Sequence, residues 1–385
     1  MRVLILGGDG FCGWPTALYL SRIGHEVTII DNLSRRNIDN ELEVSSLTPI
    51  RSMSERIRVW EEVTGKQISF WRFDVATQYD RLLAALLKFN PSAVVHFAEQ
   101  RAAPYSMKSS SHRRYTITNN LNATNNLLAA IVESELDVHV VHLGSMGVYG
   151  YGVVGLRIPE GYLPIKVEGP SGEVIRQEIL FPSDPGSIYH LTKSQDQLLF
   201  AFYSKNDKVR VTDLHQGIVW GTQTEESSLD ERLINRFDYD GDFGTVLNRF
   251  LVQAALGHPL SVYGSGRQTR AFINIRDTVR CIALAIANPP QQGERVRIYN
   301  QMTETFRVID LANMISAMTG TSVSYVENLR KEAEENELLV DDQLLIRLGL
   351  RPIKLEAGLV HEILEIASKY ASNCDKSKIA SSSRW

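Results

Sequence analysis

Short aliphatic and β-branched runs alternate with longer amphipathic stretches through the first half of the chain. The runs Arg2–Leu6, Glu26–Ile30, Ile68–Arg72, Ala93–Phe97, Val138–Leu143 and Val209–Leu214 predict strands. Several are almost continuously apolar, as expected of strands covered on both faces. Gly13–Ile23, Tyr79–Phe89 and Asn120–Ser134 lie between them and read as helices. Alternation of this kind predicts an α/β fold, a Rossmann-type doubly wound parallel sheet. After about residue 215 the rhythm changes, with longer loops and charge gathered at Thr222–Arg232 and Asn328–Glu337. The expected division is a sheet domain over 1–215 and a smaller C-terminal α/β domain, mainly substrate-binding, over 216–385. That second domain would cap the carboxyl ends of the strands, with segments near 240–256 and 272–288 packing back on the first. The stretches 33–66 and 151–187 break the pattern and read as elaborated loops near the same edge.

Composition narrows the class. The chain has 385 residues, of which 43% are hydrophobic and 22% charged, enough apolar surface for a sizeable core and too much for disorder. A net charge of −4 gives no electrostatic case for a nucleic-acid or membrane partner. The apolar stretch Val3–Leu6 is too short for a signal-peptide core, and no apolar run elsewhere spans a bilayer. The expectation is a soluble cytoplasmic protein. Cys12, Cys281 and Cys374 are widely spaced and form no C-x-x-C pair, so neither a disulfide framework nor a metal site is expected.

The first chemistry lies just past the first strand. Gly7-Gly8-Asp9-Gly10-Phe11-Cys12-Gly13 contains G-x-G-x-x-G in one register and G-x-x-G-x-x-G in another, between a strand and a helix. Missing side chains let backbone approach a pyrophosphate, whose charge is favoured at the helix N-terminus. Asp31, at the end of the second strand, is placed to accept hydrogen bonds from a ribose and to repel a 2′-phosphate. NAD is therefore expected rather than NADP, although Arg35 and Arg36 are arginines of the kind that hold such a phosphate. Residues 1–215 thus become a candidate NAD-binding domain.

A second constellation suggests what the cofactor does. Tyr189-His190-Leu191-Thr192-Lys193 is Y-x-x-x-K, and positions four apart share a helix face. A neighbouring ammonium stabilises a phenolate, moving tyrosine from about pH 10 toward useful basicity. Ser145 follows another strand end, where its hydroxyl can orient the same substrate oxygen.

With these motifs in place, the chain resembles the extended short-chain dehydrogenase/reductase family, the nucleotide-sugar epimerases and dehydratases. Asn119-Asn120-Leu121-Asn122-Ala123-Thr124 stands where that family has N-V-x-G-T. Tyr263-Gly264-Ser265-Gly266-Arg267-Gln268-Thr269-Arg270, before a strand Ala271–Ile275 and Asp277, matches its nucleotide-binding segment. The resemblance implies that Arg270, and Arg330 further on, pair with the diphosphate through charge-assisted bonds. It implies a nucleotide-sugar site that also includes Arg249, Tyr263, Gln268 and Glu332. On the cofactor side it implies contacts from Gly7, Gly10, Phe11, Cys12, Gly13, Asp31, Asn32, Ser34, Arg35, Asp74, Val75, Ala98, Asn119, Asn120, Tyr189, Lys193, Gln216 and Val219. Members commonly dimerise through a four-helix bundle, and 115–134 and 190–205 are the plausible contributors.

Departures point to a narrower group. Dehydratases carry an Asp–Glu pair after the strand-end threonine; here the matching positions read Ser145-Met146-Gly147-Val148-Tyr149-Gly150. Gly8–Trp14, Ser46–Ile50, Val95–Met107, Tyr189–Leu191 and Gly244–Phe250 closely resemble the UDP-sulfoquinovose synthase group. That likeness implies UDP-glucose and sulfite as substrates, NAD as a recycled cofactor, and a possible sulfite-supplying partner protein. In the chemistry it implies, Tyr189 deprotonates the C4 hydroxyl as NAD⁺ takes hydride. Water then leaves across C5–C6, sulfite adds at C6, and C4 is reduced again. His190 is the candidate for the C5 base, Arg101 for holding sulfite, and Met146 for a poorly hydrated wall near C6. Glu99 and Gln100 line the same region, and Gln216 faces the sugar or the nicotinamide. Two other readings stay open: a UDP-glucose 4-epimerase, and a non-catalytic NAD-sensing protein on the same fold.

Overall fold

The computed structural model describes residues 1–150, 156–328, 335–355, 357–380 and 383. Arg330 and Glu332, two of the expected substrate contacts, lie outside them.

Seven parallel strands form the main sheet, in the order Arg297–Gln301, Arg210–Gln216, His139–Leu143, Ala93–His96, Arg2–Leu6, Glu26–Asp31, Ile68–Arg72. Alternate side chains enter separate cores on the two faces. Val3, Ile5, Val27, Ile29 and Val95 enter one, while Leu4, Leu6, Ile30 and Val94 enter the other. Coverage on both faces explains why these strands read as unbroken apolar runs. The expected strands stand with small shifts of their ends, and Tyr79–Phe89 is helical as predicted. The helix expected over Asn120–Ser134 begins earlier, at Ser110, because the Ser109 hydroxyl accepts the His112 N–H and caps it there.

Three expectations need correction. The stretch 33–66 is not a loop but holds helices Ser34–Glu41 and Met53–Thr64. The first is fastened by ion pairs from Arg35 to Asp238 and from Arg36 to Asp9, so tertiary charge rather than an apolar stripe holds it. Within 151–187 lies an antiparallel hairpin, Tyr162–Glu168 with Val174–Leu180. The strand expected at Ala271–Ile275 instead runs Arg267–Asn274, and Asn274 caps a helix Ile275–Ala287.

The sheet also crosses position 215. Arg297–Gln301 returns to pair with Arg210–Gln216, and Ile275–Ala287 packs against Gly13–Arg22 and His139–Leu143. Helix Val246–Ala255 goes elsewhere, to Val308–Thr319 and the C-terminal helix Ala357–Lys369, where Leu247, Phe250 and Leu251 enter a third core. The parallel strands thus share one carboxyl edge, and the segments after residue 235 roof it. No helix among the described residues is long and apolar enough to cross a membrane.

Candidate active site

The carboxyl edge opens into a cavity of about 760 Å³, near the upper end of the range for small-molecule sites. Five of the strands deliver their chemistry at their ends. The glycine turn follows Arg2–Leu6, Asp31 ends Glu26–Asp31, Glu99 follows Ala93–His96, Ser145 follows His139–Leu143, and Gln216 ends Arg210–Gln216.

The glycine turn is built for close approach of an anion. A Cβ on Gly13 would lie 2.2 Å from the Gly7 carbonyl oxygen, so only glycine lets helix Gly13–Arg22 start against the strand end. At Gly10 a Cβ would meet only that oxygen, at 3.2 Å, and would otherwise fill the cavity. No side chain caps this helix and no acidic residue lies in its first turn. Its amide groups and dipole are left for a pyrophosphate, so the residues present fit NAD.

Asp31 accepts N–H bonds from Asp9, at 2.8 Å, and Leu33, at 2.6 Å. Burial, with the Asp9 carboxylate beside it, pushes Asp31 up to about 6. Both neighbouring arginines are committed to carboxylates. Arg36 bonds Asp9 at 2.6 and 2.8 Å, and Arg35 pairs with Asp39 and Asp238. Neither is left to receive a 2′-phosphate, in keeping with NAD rather than NADP. Ionised Asp31 is the form that accepts ribose hydroxyls, so NAD affinity should be full above pH 6 and fall as pH drops through it. Calorimetric titration with NAD across that range checks this, and Asp31→Asn should remove the pH dependence.

Ser145, Tyr189 and Lys193, the expected catalytic trio, are brought to one cavity. Ser187 accepts the His190 N–H at 3.2 Å, capping helix Ile188–Asn206 and placing Tyr189 and Lys193 on its first turns. The Ser145 hydroxyl faces the Tyr189 phenol and favours its ionised form. Burial holds Tyr189 above the ordinary tyrosine range, while Lys193 works in the opposite direction. His190 has Nδ1 3.1 Å from Ser187 Oγ. Its ring lies flush on Gly147, where a Cβ would be 2.2 Å from Nε2. Glycine at 147 therefore makes room for the imidazole at the cavity wall.

The expected substrate contacts among the described residues border the cavity as well. Arg249, Tyr263, Gln268 and Arg270 all border the cavity, with the Arg249 guanidinium 5.3 Å from the Tyr263 ring centre. Met146 is buried beside Ser145. Arg101 reaches the cavity but is held by Asp238 at 2.6 Å. The remaining expected cofactor contacts, Phe11, Cys12, Asn32, Ser34, Asp74, Val75, Ala98, Asn119 and Val219, border the cavity too. Burial raises the Cys12 thiol to about 11, so it stays protonated.

Asn120 is the exception. Its side chain accepts the Gln100 N–H at 2.8 Å and donates to Gln100 O and Thr192 Oγ1, each at 3.0 Å. It braces the wall from behind, one helix step round from Asn119, and does not border the cavity. Asp238 and Phe243 in the roof carry no mark in the hydrophobic pattern. Phe243 packs under the Arg35 guanidinium, 3.7 Å away, and Asp238 ties Arg35, Arg101 and Arg236 together.

Known proteins match this arrangement. Residues 3–300 match the NAD dependent epimerase/dehydratase family. The chain is 44% identical to the chloroplastic UDP-sulfoquinovose synthase of Spinacia oleracea, over all of this chain and 79% of that one. It is 39% identical to the UDP-sulfoquinovose synthase of Sulfolobus acidocaldarius, over 92% of this chain and 89% of that one. A solved UDP-glucose 4-epimerase of Thermotoga maritima has the same fold, with a TM-score of 0.70, 18% identity, and coverage of 96% and 98%. The chain belongs to the NAD-dependent epimerase/dehydratase family and, within it, to the UDP-sulfoquinovose synthases.

Proposed function

We propose that this enzyme makes UDP-6-sulfoquinovose from UDP-glucose and sulfite. Its likeness to the spinach and Sulfolobus synthases along nearly the whole chain carries the reading. The assembled Ser145–Tyr189–Lys193 trio, with no Asp–Glu pair after Ser145, supports it.

Bound NAD supplies the hydride acceptor for C4 and returns that hydride at the end of the cycle. The glycine turn, Asp31 and Lys193 would hold it. Ser145 orients the C4 oxygen while Tyr189 takes its proton and later gives it back. The resulting 4-ketone acidifies C5–H. His190 removes that proton and water leaves from C6, giving a 5,6-ene conjugated with the ketone. The sulfur lone pair of sulfite adds at C6 and C5 is reprotonated. Arg101 turns its guanidinium toward the sulfite oxygens, while Met146 keeps the wall near C6 poor in water. Arg249, Tyr263, Gln268 and Arg270 hold the UDP at the far end, with Arg270 on the diphosphate.

Helices Ser110–Ser134 and Ile188–Asn206 pack together and leave Leu198 and Phe202 64% and 59% exposed. An apolar face of this kind supports a homodimer through those helices. The cysteines are free thiols, which suits a reducing compartment, and the cytoplasm is one. A sulfite-supplying protein remains part of the proposal because free sulfite is reactive.

Incubation with UDP-glucose, with and without sulfite, tests the reading. Sulfite should be consumed only when UDP-glucose is present, with no NAD needed beyond what fills the site. UDP-galactose formed without sulfite uptake would favour the 4-epimerase.

A further inference from the structure

From Lys193 at the cavity wall a buried polar cluster runs back into the sheet, and the mechanism above gives its carboxylates and histidines no part. Lys193 Nζ is 2.8 Å from Glu99 Oε2 and 3.0 Å from His142 Nε2, and it donates to the Leu143 carbonyl at 2.7 Å. Glu99 is itself braced, with Oε1 3.0 Å from His142 Nε2 and 3.4 Å from His96 Nε2. His142 gives its other nitrogen to Asp213 at 2.8 Å, and Asp213 holds His215 at 2.9 Å. The side chains of Glu99, His142, Lys193 and Asp213 are each no more than 4% exposed. Donor atoms of Glu99, His142 and Asp196 lie within 4.8 Å of one another. The Lys193 ammonium already supplies the cation they face.

This placement changes what Lys193 offers the phenol. A lone ammonium one helical turn from a tyrosine favours its anion. A carboxylate 2.8 Å behind that ammonium converts the charge into a short dipole whose field falls off faster with distance. The side chain is also pinned by the Glu99 carboxylate and the Leu143 carbonyl, which leaves one of its three protons for a bound cofactor. We propose that Glu99 is a positioning residue of the reaction, anchoring the Lys193 ammonium and screening its charge from the Tyr189 phenol. The proposal rests on the reading of Tyr189 as the proton carrier.

The surroundings of each group agree with this direction. Tyr189 faces Lys193, Glu99, Arg101 and the Ser145 hydroxyl, with the His190 ring beside it. Lys193 faces Glu99, Tyr189, Asp196 and His142. Glu99 faces Lys193, His142 and His96. Among the influences on Tyr189, burial raises it most, Lys193 lowers it, and Glu99 raises it again. Screening has a chemical use, because Tyr189 must return its proton when C4 is reduced. A phenol made too acidic by a bare ammonium would be a poor acid in that last step.

The test reads ionisation of Tyr189 itself in the full chain without added nucleotide sugar. Near-ultraviolet tyrosinate absorbance is followed against pH, and the same curve from the matching Tyr189→Phe protein is subtracted. Glu99→Gln should lower the Tyr189 midpoint by about one unit or more. Glu99→Gln placed on Lys193→Met should lower it by a smaller amount, the part that the carboxylate exerts on the phenol directly. An unchanged midpoint in Glu99→Gln, or an equal fall in the Lys193→Met background, would overturn the proposal. Should Glu99→Gln fail to fold, Glu99→Asp keeps the charge but lengthens the pair. It should lower the midpoint by a smaller amount, and no fall would again overturn the proposal. The titration reads this coupling whatever sugar the enzyme releases, so its failure is separate from failure of the synthase reading.

Discussion

Tyr189→Phe is expected to lower turnover of UDP-glucose by about 10²–10⁴-fold while leaving NAD binding and thermal stability close to those of the parent. The substitution removes one oxygen and keeps the ring. Tyr189 gives Thr192 a backbone carbonyl partner, which phenylalanine also supplies. The Ser145 hydroxyl that faces the phenol keeps its own partner, the Gly147 N–H. The loss should therefore fall on kcat rather than on KM, as for an interaction made in the transition state. His190→Ala separates the two proton transfers. It should keep C4 oxidation, seen as reduction of bound NAD, and lose sulfonation. A Tyr189→Phe protein with parental turnover would remove the phenol from the mechanism.

Gly13→Ala is expected to cost both the fold's stability and NAD binding. Its Cβ would lie 2.2 Å from Gly7 O and 2.8 Å from Gly8 Cα, both backbone atoms that cannot rotate away. Helix Gly13–Arg22 would have to move off the strand end, taking Trp14, Ala17 and Leu18 out of register with the core. Overpacking of this kind costs about 1–3 kcal/mol or more, a fall of several degrees in melting temperature. Gly10→Ala supplies the contrast, since its Cβ meets only Gly7 O, at 3.2 Å, and otherwise projects into the cavity. That variant should keep its melting temperature and lose NAD affinity. Calorimetric melting and NAD titration of both proteins check the pair. Parental NAD binding in both variants would contradict the cradle.

These two sites were legible in the sequence because their signals are local. Glycines at fixed offsets after an apolar strand, and a tyrosine and lysine four apart, declare their geometry within a few residues. Other features depend on distant partners. Helix Ser34–Glu41 buries only Ile38 and is held by ion pairs to Asp9 and Asp238, so it has no apolar stripe to read. Helix Met53–Thr64 did leave a signal. Ser52 accepts the Glu55 N–H in an S-x-x-E start, a capping pattern that marks a helix more reliably than the hydrophobic spacing does there. Much of the hairpin Tyr162–Leu180 stands in solvent, which removes the alternation that betrays a half-buried strand.

Asn119 and Asn120 show the limit of a motif match. Both belong to the helix motif, yet successive helical residues point about 100° apart. Asn119 borders the cavity, while Asn120 is spent on Gln100 and Thr192. Glu99 shows the opposite case. Its position at a strand end marked it as a pocket residue, but its contact with His142 exists only because the sheet sets Ala93–His96 beside His139–Leu143, and its pairing with Lys193 only because helix Ile188–Asn206 reaches the same edge. Arg101 reads from sequence as a candidate sulfite contact, and Asp238 from the roof takes one edge of it.

The central claim is that the cofactor's hydride is lent and returned while a carbon–sulfur bond forms at C6. The mass of the sugar nucleotide released from UDP-glucose and sulfite tests it most directly. The account predicts a product heavier than UDP-glucose by sulfite added in place of the C6 hydroxyl, formed by the enzyme without added NAD once its site is filled. A product with the mass of UDP-glucose in the presence of sulfite would contradict it.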